Sequence, residues 1–563
     1  MKIKKAYRRR MQKCFMLIGM LLLVGCSSVK KEKGPGIFEY DLKPYGENRL
    51  AVTLRITNPA TSAKRKFRFP AVGEQIELEE SEELEESEEL EESKESDESE
   101  KSEGPVLWID SGKTKELKYY VNLGEDGKHG MQGAATDEFC SFDGLHTLLL
   151  PEEAYIEGLA NEEVLMEQLS VTIETAEGWT AVNPFQTKKD VTWADLYDLM
   201  NDCFAVGKFE MHRISVEHGT LNIYTPQKEK WPQEAFYDKA LKSLFSYYIN
   251  LFQMEKEYNI VFLPDEKQMI GGAGKHSVGA SFHPENARDW ELLSHRMFHA
   301  FLDTSLQGQT LHKAPLLWFA EGLATYYENI ALQQMPESMR TAYGWEEDLQ
   351  FAKLYDQYLY MRWKEPLLYQ IAPMEEEGLK SQAQVEFLHY IQAPLIIKEL
   401  ETIVGNDSVL NEFLKCYKWD SFSMEDMAKG LLKTDFEKNW NDFFIGKEDI
   451  PLWELGETAR DHSEILEHLN AAEEMLGSWL NTELDYYPIE KMSEEELEIL
   501  KKDSEFGQLS YAGLETEKKI CAYSELIDEL LKANCLKIKK AGCELGDPMA
   551  RYEYLKDMDR IGE

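Results

Sequence analysis

The sequence predicts an α+β protein with a β-sandwich-like N-terminal domain, a mixed central domain and a helical C-terminal region. Apolar and polar residues alternate in short segments between residues 37 and 190, which is typical of strands. From about Trp193 the apolar residues recur at helical spacing, as in Leu196 and Leu199. At 563 residues the chain is too long for one hydrophobic core, so we expect two to four domains.

Residues 1–25 predict an export signal. A Lys- and Arg-rich start precedes the apolar run 15–24, which is too short to span a bilayer. The run ends in Leu-Val-Gly-Cys26, which resembles a bacterial lipoprotein signal, in which the cysteine carries acyl chains such as palmitate. Several acyl chains on one residue anchor a protein firmly. The expected location is therefore the outward face of a bacterial cell membrane, with residues 26–36 as a tether. An ordinary signal peptide with an incidental cysteine is the alternative.

The predicted β-domain covers residues 37–190 and contains a strongly acidic segment at 74–104. Glu and Ser dominate this segment, and like charges at such density favour a disordered insertion between strands. A calcium-binding or partner-binding role is the alternative. The predicted strands are 38–42, 50–56, 106–109, 117–121, 148–150 and 171–173.

The sequence predicts two further regions of the chain, at residues 191–334 and 335–450. The second of these is almost wholly helical. The strand 259–263 is predicted to lie between helices, and a charged helical tail follows at 451–563. The predicted helices are 233–256, 289–303, 316–332, 347–363, 383–403 and 462–480.

The formal net charge of −42 argues against a nucleic-acid partner, because phosphates would be repelled. The cysteines beyond Cys26 match no zinc-ribbon spacing. One local disulfide in the tail and free buried thiols both agree with their positions.

The chemistry is concentrated at His295 and His299, which are four residues apart and therefore share one helix face. Such a pair can bind one Zn²⁺, and Glu321 on the next predicted helix would supply a third ligand. The fourth position would stay open for water, as in catalytic zinc sites. Glu328, two turns further on, would orient a ligand histidine. A solvated or packed histidine pair is the plain alternative, since His-x-x-x-His alone is a weak signal.

The segment Trp318-Phe-Ala-Glu-Gly-Leu-Ala-Thr-Tyr-Tyr327, together with the histidine pair, resembles the glycyl aminopeptidase family of gluzincin metallopeptidases. The resemblance covers about residues 37–450 and implies a thermolysin-like catalytic domain in 191–334. It implies that Gly272, Lys275 and His276 line the substrate cleft, in a segment that looks like a family strand. It also implies that Tyr390 stabilises the oxyanion.

Two positions depart from the family pattern. Arg296 occupies the position of the general-base glutamate, and arginine stays protonated at working pH. Lys275 replaces the glutamate that receives the substrate's amino group in the family. Another carboxylate, Glu285 or Asp289, is an alternative base. Arg296 is also free to pair with Glu321 or Glu328 and replace the metal electrostatically.

The predicted function is therefore metallopeptidase-like binding of a peptide or protein ligand, with impaired catalysis. The alternative is an active zinc metallopeptidase with a substitute base. Zinc is the implied cofactor in both cases, although the cations at 275 and 296 leave its binding open. The membrane is the second expected partner, through the N-terminal lipid.

Overall fold

The computed structural model describes residues between 36 and 452 of the chain. The signal segment, Cys26 and the tail from 453 lie outside the described residues, as does most of the acidic segment. The internal ranges not described are 46–48, 59–63, 69–75, 79–105, 124–132, 156–163, 227–234, 264–271, 307–315, 346–349, 352–353, 356–357, 359–360, 363–368, 380–381, 406–407 and 418–421.

The described residues divide into two compact units, the first ending at Phe209 and also containing Gly272. The division therefore falls later than the expected boundary at 190, because the segment that follows supplies a helix and a central strand to the first unit. The strands of this unit are β1 (Ile37–Pro44), β2 (Arg49–Thr57), β3 (Arg65–Arg68), β4 (Ile76–Leu78), β5 (Val106–Ile109), β6 (Thr114–Asn122), β7 (Ala134–Ala135), β8 (Phe139–Asp143), β9 (Leu150–Pro151), β10 (Met166–Ile173), β11 (Thr180–Val182), β12 (Thr187–Val191) and β13 (Cys203–Gly207). Its helices are α1 (Gly144–Thr147), a 3₁₀ turn (Glu152–Tyr155) and α2 (Trp193–Asn201).

Three sheets organise the described part of the first unit. They have the strand orders β12-β10-β1-β2-β6-β4, β11-β13-β8-β7 and β5-β3-β9. The predicted alternation is present in β1, where Phe38, Tyr40 and Leu42 are buried and their neighbours are not. This face joins the apolar core of the unit.

Two details differ from the sequence-based expectation. Ile76–Leu78, within the predicted disordered insertion, forms β4 and pairs with β6, because its apolar residues alternate as a strand requires. Of the predicted strand 148–150, only Leu150 is in a strand, since α1 ends just before it.

The second unit contains a four-stranded sheet and most of the helices described. The strands are β14 (Phe209–Val216), whose first residue belongs to the first unit, β15 (Gly219–Pro226), β16 (Lys256–Leu263) and β17 (Ser277–Ser281), in that spatial order. The helices are α3 (Ala235–Phe252), α4 (Ala287–Ser305), α5 (Leu317–Leu332), α6 (Glu337–Tyr343), a 3₁₀ turn (Pro373–Gly378), α7 (Gln382–Phe387), a π-helical turn (Leu388–Gln392), α8 (Ala393–Val404), α9 (Ser408–Cys416), α10 (Met424–Leu432), a 3₁₀ turn (Lys433–Asp435), α11 (Phe436–Asn439) and a second π-helical turn (Trp440–Phe444).

Helices α4 and α5 pack against each other in one large apolar core. Trp290 of α4 and Trp318 of α5 are fully buried, and the rings of Phe298 and Tyr327 stack at 5.4 Å between centroids. This contact joins the two helices that the sequence predicts to carry metal ligands. The α+β class and the helical C-terminal region are confirmed. Within the described ranges, no helix combines the length and hydropathy that a membrane span requires.

Candidate metal centre

Two histidines project from α4 toward α5. His295 and His299 lie one helical turn apart, and their Nε2 atoms are 3.1 Å from each other. The start of α4 is fixed by the Asn286 side chain, which accepts a hydrogen bond from the Arg288 amide. The Asp289 carboxylate adds a second bond from the His283 amide. The first bond satisfies an amide that the helix itself leaves open, and the second ties the preceding loop to the helix.

Glu321 of α5 completes the group. Its Oε2 atom lies 3.1 Å from His295 Nε2 and 3.4 Å from His299 Nε2. The three ligand atoms therefore form a small triangle with nearly equal sides. Tetrahedral zinc with bonds of about 2.0–2.1 Å would hold its ligand atoms about 3.3 Å apart. The observed separations fit one zinc ion held by these three residues, and the fourth coordination position remains for another ligand.

Glu328 binds the opposite side of the His295 ring, with Oε2 3.1 Å from Nδ1. A carboxylate is an acceptor, so Nδ1 of His295 carries a proton that it donates to Glu328. In the protonated ring Nε2 also donates, to Glu321, and a metal ion at Nε2 would replace this second proton. Glu328 therefore orients His295, which is the role expected from its position two turns after Glu321.

The charged side chains of this group shift one another's pKa values. Burial on its own would lower the pKa of His295, but hydrogen bonds to Glu321 and Glu328 outweigh it and raise that pKa to about 9. Burial would likewise raise the pKa of Glu321, but the charges and hydrogen bonds of His299 and His295 hold it well below the usual value. The carboxylate is therefore ionised over the whole physiological range.

Tyr390 lies beside this group. Its ring centroid is 5.8 Å from that of His295. Burial, with the charge of Glu321 next and a hydrogen bond to Glu321, raises the pKa of Tyr390, so the hydroxyl stays protonated and remains a donor. The residue is on the π-helical turn Leu388–Gln392, a distortion that often occurs at functional sites. The fold thus brings together five of the predicted residues, which are His295, His299, Glu321, Glu328 and Tyr390.

Arg296 makes no hydrogen bond or ion pair with the residues that the structure describes. Neither Glu321 nor Glu328 pairs with its guanidinium, because both carboxylates contact His295 instead. The alternative in which Arg296 replaces the metal by pairing with these glutamates is therefore wrong for this arrangement. Burial lowers the pKa of Arg296 to about 10, which still leaves it protonated at neutral pH.

The carboxylates in α4 and just before it, which include the predicted alternatives Glu285 and Asp289, have other contacts or lie far from the candidate ligands in sequence. Asp289 is buried and accepts hydrogen bonds from His283 and Asn286. Glu291 pairs with Arg288 at 3.1 Å and accepts from Trp345 Nε1 at 3.4 Å. Glu285 is exposed, ten residues before His295 in sequence. None of them contacts a candidate metal ligand in the described part of the chain.

The segment predicted to line the cleft has a different local structure from the family strand it resembles. Strand β17 begins only at Ser277, and Ala273 pairs back on Val278, so Lys275 and His276 lie in a turn. Lys256 fixes this turn, because its buried ammonium donates to the Lys275 carbonyl at 2.8 Å. The same ammonium reaches the carbonyl of Ala300 near the end of α4.

Gly272 belongs to the first unit. A Cβ atom at this position would lie 2.2 Å from the carbonyl oxygen of Asn201 and 2.5 Å from that of Asp202. The backbone there approaches so closely that only glycine fits. Backbone packing therefore explains why residue 272 is a glycine. Its predicted contact with substrate stays a prediction.

Arg288 was missed by the sequence reasoning. It lies seven residues before His295, which places it on the ligand face two turns earlier, and its head is largely exposed. The seven-residue spacing was the signal that could have identified it.

No protein family model matches this sequence, and no curated protein sequence matches it. Solved structures do. An aminopeptidase N family protein from Idiomarina loihiensis aligns over 74% of this chain and 77% of its own, with 13% identity and a TM-score of 0.53. An M1 zinc metallopeptidase from Deinococcus radiodurans aligns over 75% and 95%, with 13% identity and a TM-score of 0.40. The first of these similarities shows that the chain has an aminopeptidase N-like fold.

Proposed function

We propose that this protein is a lipid-anchored surface protein whose gluzincin-like domain binds a peptide or protein with little or no hydrolysis. The observation that carries the proposal is Arg296. It follows the first metal-ligand histidine, where a gluzincin has its general base, and no described carboxylate neutralises it. A permanent cation is unable to take a proton from water.

Zinc is the proposed cofactor. His295, His299 and Glu321 have the geometry and chemistry of a zinc ligand set. In the bound state zinc would polarise a carbonyl oxygen of the ligand. Tyr390 would donate a hydrogen bond to the same group from the side. Such a site holds a peptide carbonyl even where hydrolysis is slow.

The proposed ligand carries an anionic group. Arg296 has no carboxylate partner within the described residues, and a cation in a partly buried place gains from an anionic partner. Arg288 lies on the ligand face of α4 as well, where it is paired with Glu291 at 3.1 Å. Lys275 takes the place of the carboxylate that anchors an amino group in the glycyl aminopeptidase family. A peptide C-terminal carboxylate or an acidic side chain would pair with Arg296.

The lipid anchor at Cys26 and the outward location are parts of the same proposal. Metabolic labelling with a palmitate analogue should mark the wild type and leave Cys26→Ser unmarked. A Cys26→Ser protein that still incorporates label at its N-terminus would contradict the anchor. The glycyl aminopeptidase relationship is also part of the proposal, supported by the Trp318–Tyr327 pattern.

Metal analysis combined with a peptide library tests the central claim. We expect one zinc per chain, peptide binding that depends on anionic groups, and no cleavage. Metal and binding should both be lost in His299→Ala. Chelator-sensitive cleavage by the wild type that disappears in His299→Ala would overturn the proposal in favour of an active metallopeptidase.

The second candidate function is that metallopeptidase, acting through a substitute base. The intact ligand set and Tyr390 favour it. Arg296→Glu, which supplies a base, should then raise cleavage only a little, because a base is already present. If the proposal of impaired catalysis holds, Arg296→Glu should raise cleavage about 10²–10⁴-fold. Arg296→Gln is the control, since it removes the charge without supplying a base.

A further inference from the structure

One carboxylate oxygen joins the two elements that carry Glu321 and Tyr390. Oε1 of Glu376 accepts a hydrogen bond from the Trp318 amide at 2.9 Å. The same oxygen lies 2.5 Å from Nε2 of His389, which donates to it. Glu376 is 6% exposed and His389 is 3% exposed, so the bridge is shielded from water.

The two ends of this bridge lie next to the candidate site in the chain. Trp318 is in the first turn of α5, three residues before Glu321, and His389 directly precedes Tyr390. Helix α5 has no cap from its own sequence, because Leu316 precedes it and offers no side-chain acceptor. Glu376, from the 3₁₀ turn Pro373–Gly378, supplies the missing acceptor.

A tight helix contact holds the same two elements on their other side. A Cβ atom on Gly322 would lie 2.5 Å from Cβ of Ala393, so α5 and the start of α8 touch at the residue after Glu321. The π-helical turn that contains Tyr390 ends directly before Ala393. Glu321 and Tyr390 are thus fixed from both directions.

A helix cap alone does not explain this arrangement. Ser, Thr, Asn or Asp cap a helix at lower cost than a buried glutamate. The second oxygen of Glu376, Oε2, has no hydrogen-bond partner within the described residues, which makes the buried carboxylate more costly still. The structure shows one further interaction, the hydrogen bond that His389 donates to Glu376. This bond connects the cap of α5 to the π-helical turn that carries Tyr390.

We propose that Glu376 and His389 are positioning residues, and that their buried bond holds the Tyr390 hydroxyl beside Glu321. Neither residue touches the candidate metal ligands themselves. A role of this placement in binding a peptide rests on the proposed function. The placement itself is measurable without any ligand.

Fluorine NMR of full-length protein labelled with 3-fluorotyrosine tests the placement, with the Tyr390 resonance assigned from Tyr390→Phe. We expect Glu376→Ala to move this resonance by more than its linewidth. Glu376→Gln keeps an oxygen acceptor for both donors and should restore most of the wild-type position. His389→Leu leaves the cap of α5 intact and should also move the Tyr390 resonance by more than its linewidth. This variant keeps the test decisive if Glu376→Ala fails to fold.

Glu401 provides a matched control, because it is another buried glutamate that caps a helix. It accepts from the Ser408 and Val409 amides at the start of α9 and from the Tyr327 hydroxyl. We expect Glu401→Ala to lower stability and leave the Tyr390 resonance in place. An unmoved resonance in His389→Leu, or an equal shift in Glu401→Ala, would overturn the positioning role.

A peptide-binding measurement on the same variants separates the two proposals. His389→Leu should weaken binding of an acidic peptide from the library about tenfold, as expected for loss of one well-placed hydrogen bond. If the wild type binds no peptide, the proposed function fails, and the resonance shift still decides the positioning role. If the wild type binds and His389→Leu binds equally well, the positioning has no part in recognition and this inference is wrong.

Discussion

The Nδ1 atom of His295 lies 3.1 Å from Oε2 of Glu328, on the side of the ring opposite Glu321. This contact determines which nitrogen carries the proton and so leaves Nε2 available to a metal. It also ties the two helices together at the candidate site.

Removing that contact should weaken metal binding without removing a ligand. We expect Glu328→Ala to reduce zinc affinity about 10–100-fold, because the orientation and basicity of His295 are lost. Competition with a coloured chelator measures this. Glu337→Ala, at an exposed glutamate in the first turn of α6, is the control and should bind zinc like the wild type. Equal affinities for both variants would show that Glu328 does not support the ligand.

The contact between α5 and α8 should tolerate no side chain at position 322. Gly322→Ala places a methyl group 2.5 Å from Cβ of Ala393, and such overpacking costs about 1–3 kcal/mol. Urea denaturation measures the loss of unfolding free energy. Adding Ala393→Gly should recover part of it, because the clashing atom is gone. Gly378→Ala meets nothing within 4 Å and should change little. A stable Gly322→Ala protein would argue against this close approach.

The end of the described chain is held by a fully buried ion pair. Arg362 Nε donates to Asp449 Oδ1 at 3.0 Å, and both side chains are 0% exposed. Asp449→Ala leaves a buried guanidinium without this partner and should cost about 3–5 kcal/mol of unfolding free energy. The exposed pair Lys429–Glu425 is the comparison, and Glu425→Ala should have little effect because solvent screens it. Similar losses in the two variants would contradict this assignment.

A pH dependence is expected in the first unit. Burial on its own would lower the pKa of His146, but the hydrogen bond and charge of Asp143 outweigh it and raise that pKa above 6.5. The protonated imidazole is thus favoured in the folded state. Its contribution should be fully present below pH 6.5 and should disappear as the pH rises through the folded value.

Unfolding free energies of wild type and His146→Gln at several pH values measure this contribution. The difference between the two proteins should be large at low pH and small at high pH. In an Asp143→Asn background the pH dependence should reverse, because burial, no longer opposed by the Asp143 charge, lowers the pKa of His146. A difference that grows with pH would show that the sign is wrong.

Much of the fold was predictable because it depends on local periodicity. The alternation in Phe38–Leu42 predicted β1, and the helical pattern after Trp193 predicted α2. The prediction failed where the local charge pattern indicated disorder but a neighbouring strand was available for pairing. Ile76–Leu78 lies in an acidic segment, yet it forms β4 because β6 offers it a partner.

The candidate site was predictable to a similar extent. His295 and His299 share a face because they are four residues apart, and Glu321 and Glu328 share one because they are seven apart. These are relationships within one helix, which helix geometry fixes. The family resemblance added Tyr390 and Arg296 and supplied the roles that spacing alone does not give.

By itself, the sequence determined most strand and helix types, the histidine pair and the arginine that directly follows the first histidine. Only the tertiary structure decided that Glu328 binds the far side of His295 and that Arg296 has no described carboxylate partner. It also decided that α5 is capped by Glu376, 58 residues after Trp318. Such contacts join residues that are distant in the chain, and they depend on how helices pack, which local periodicity does not specify.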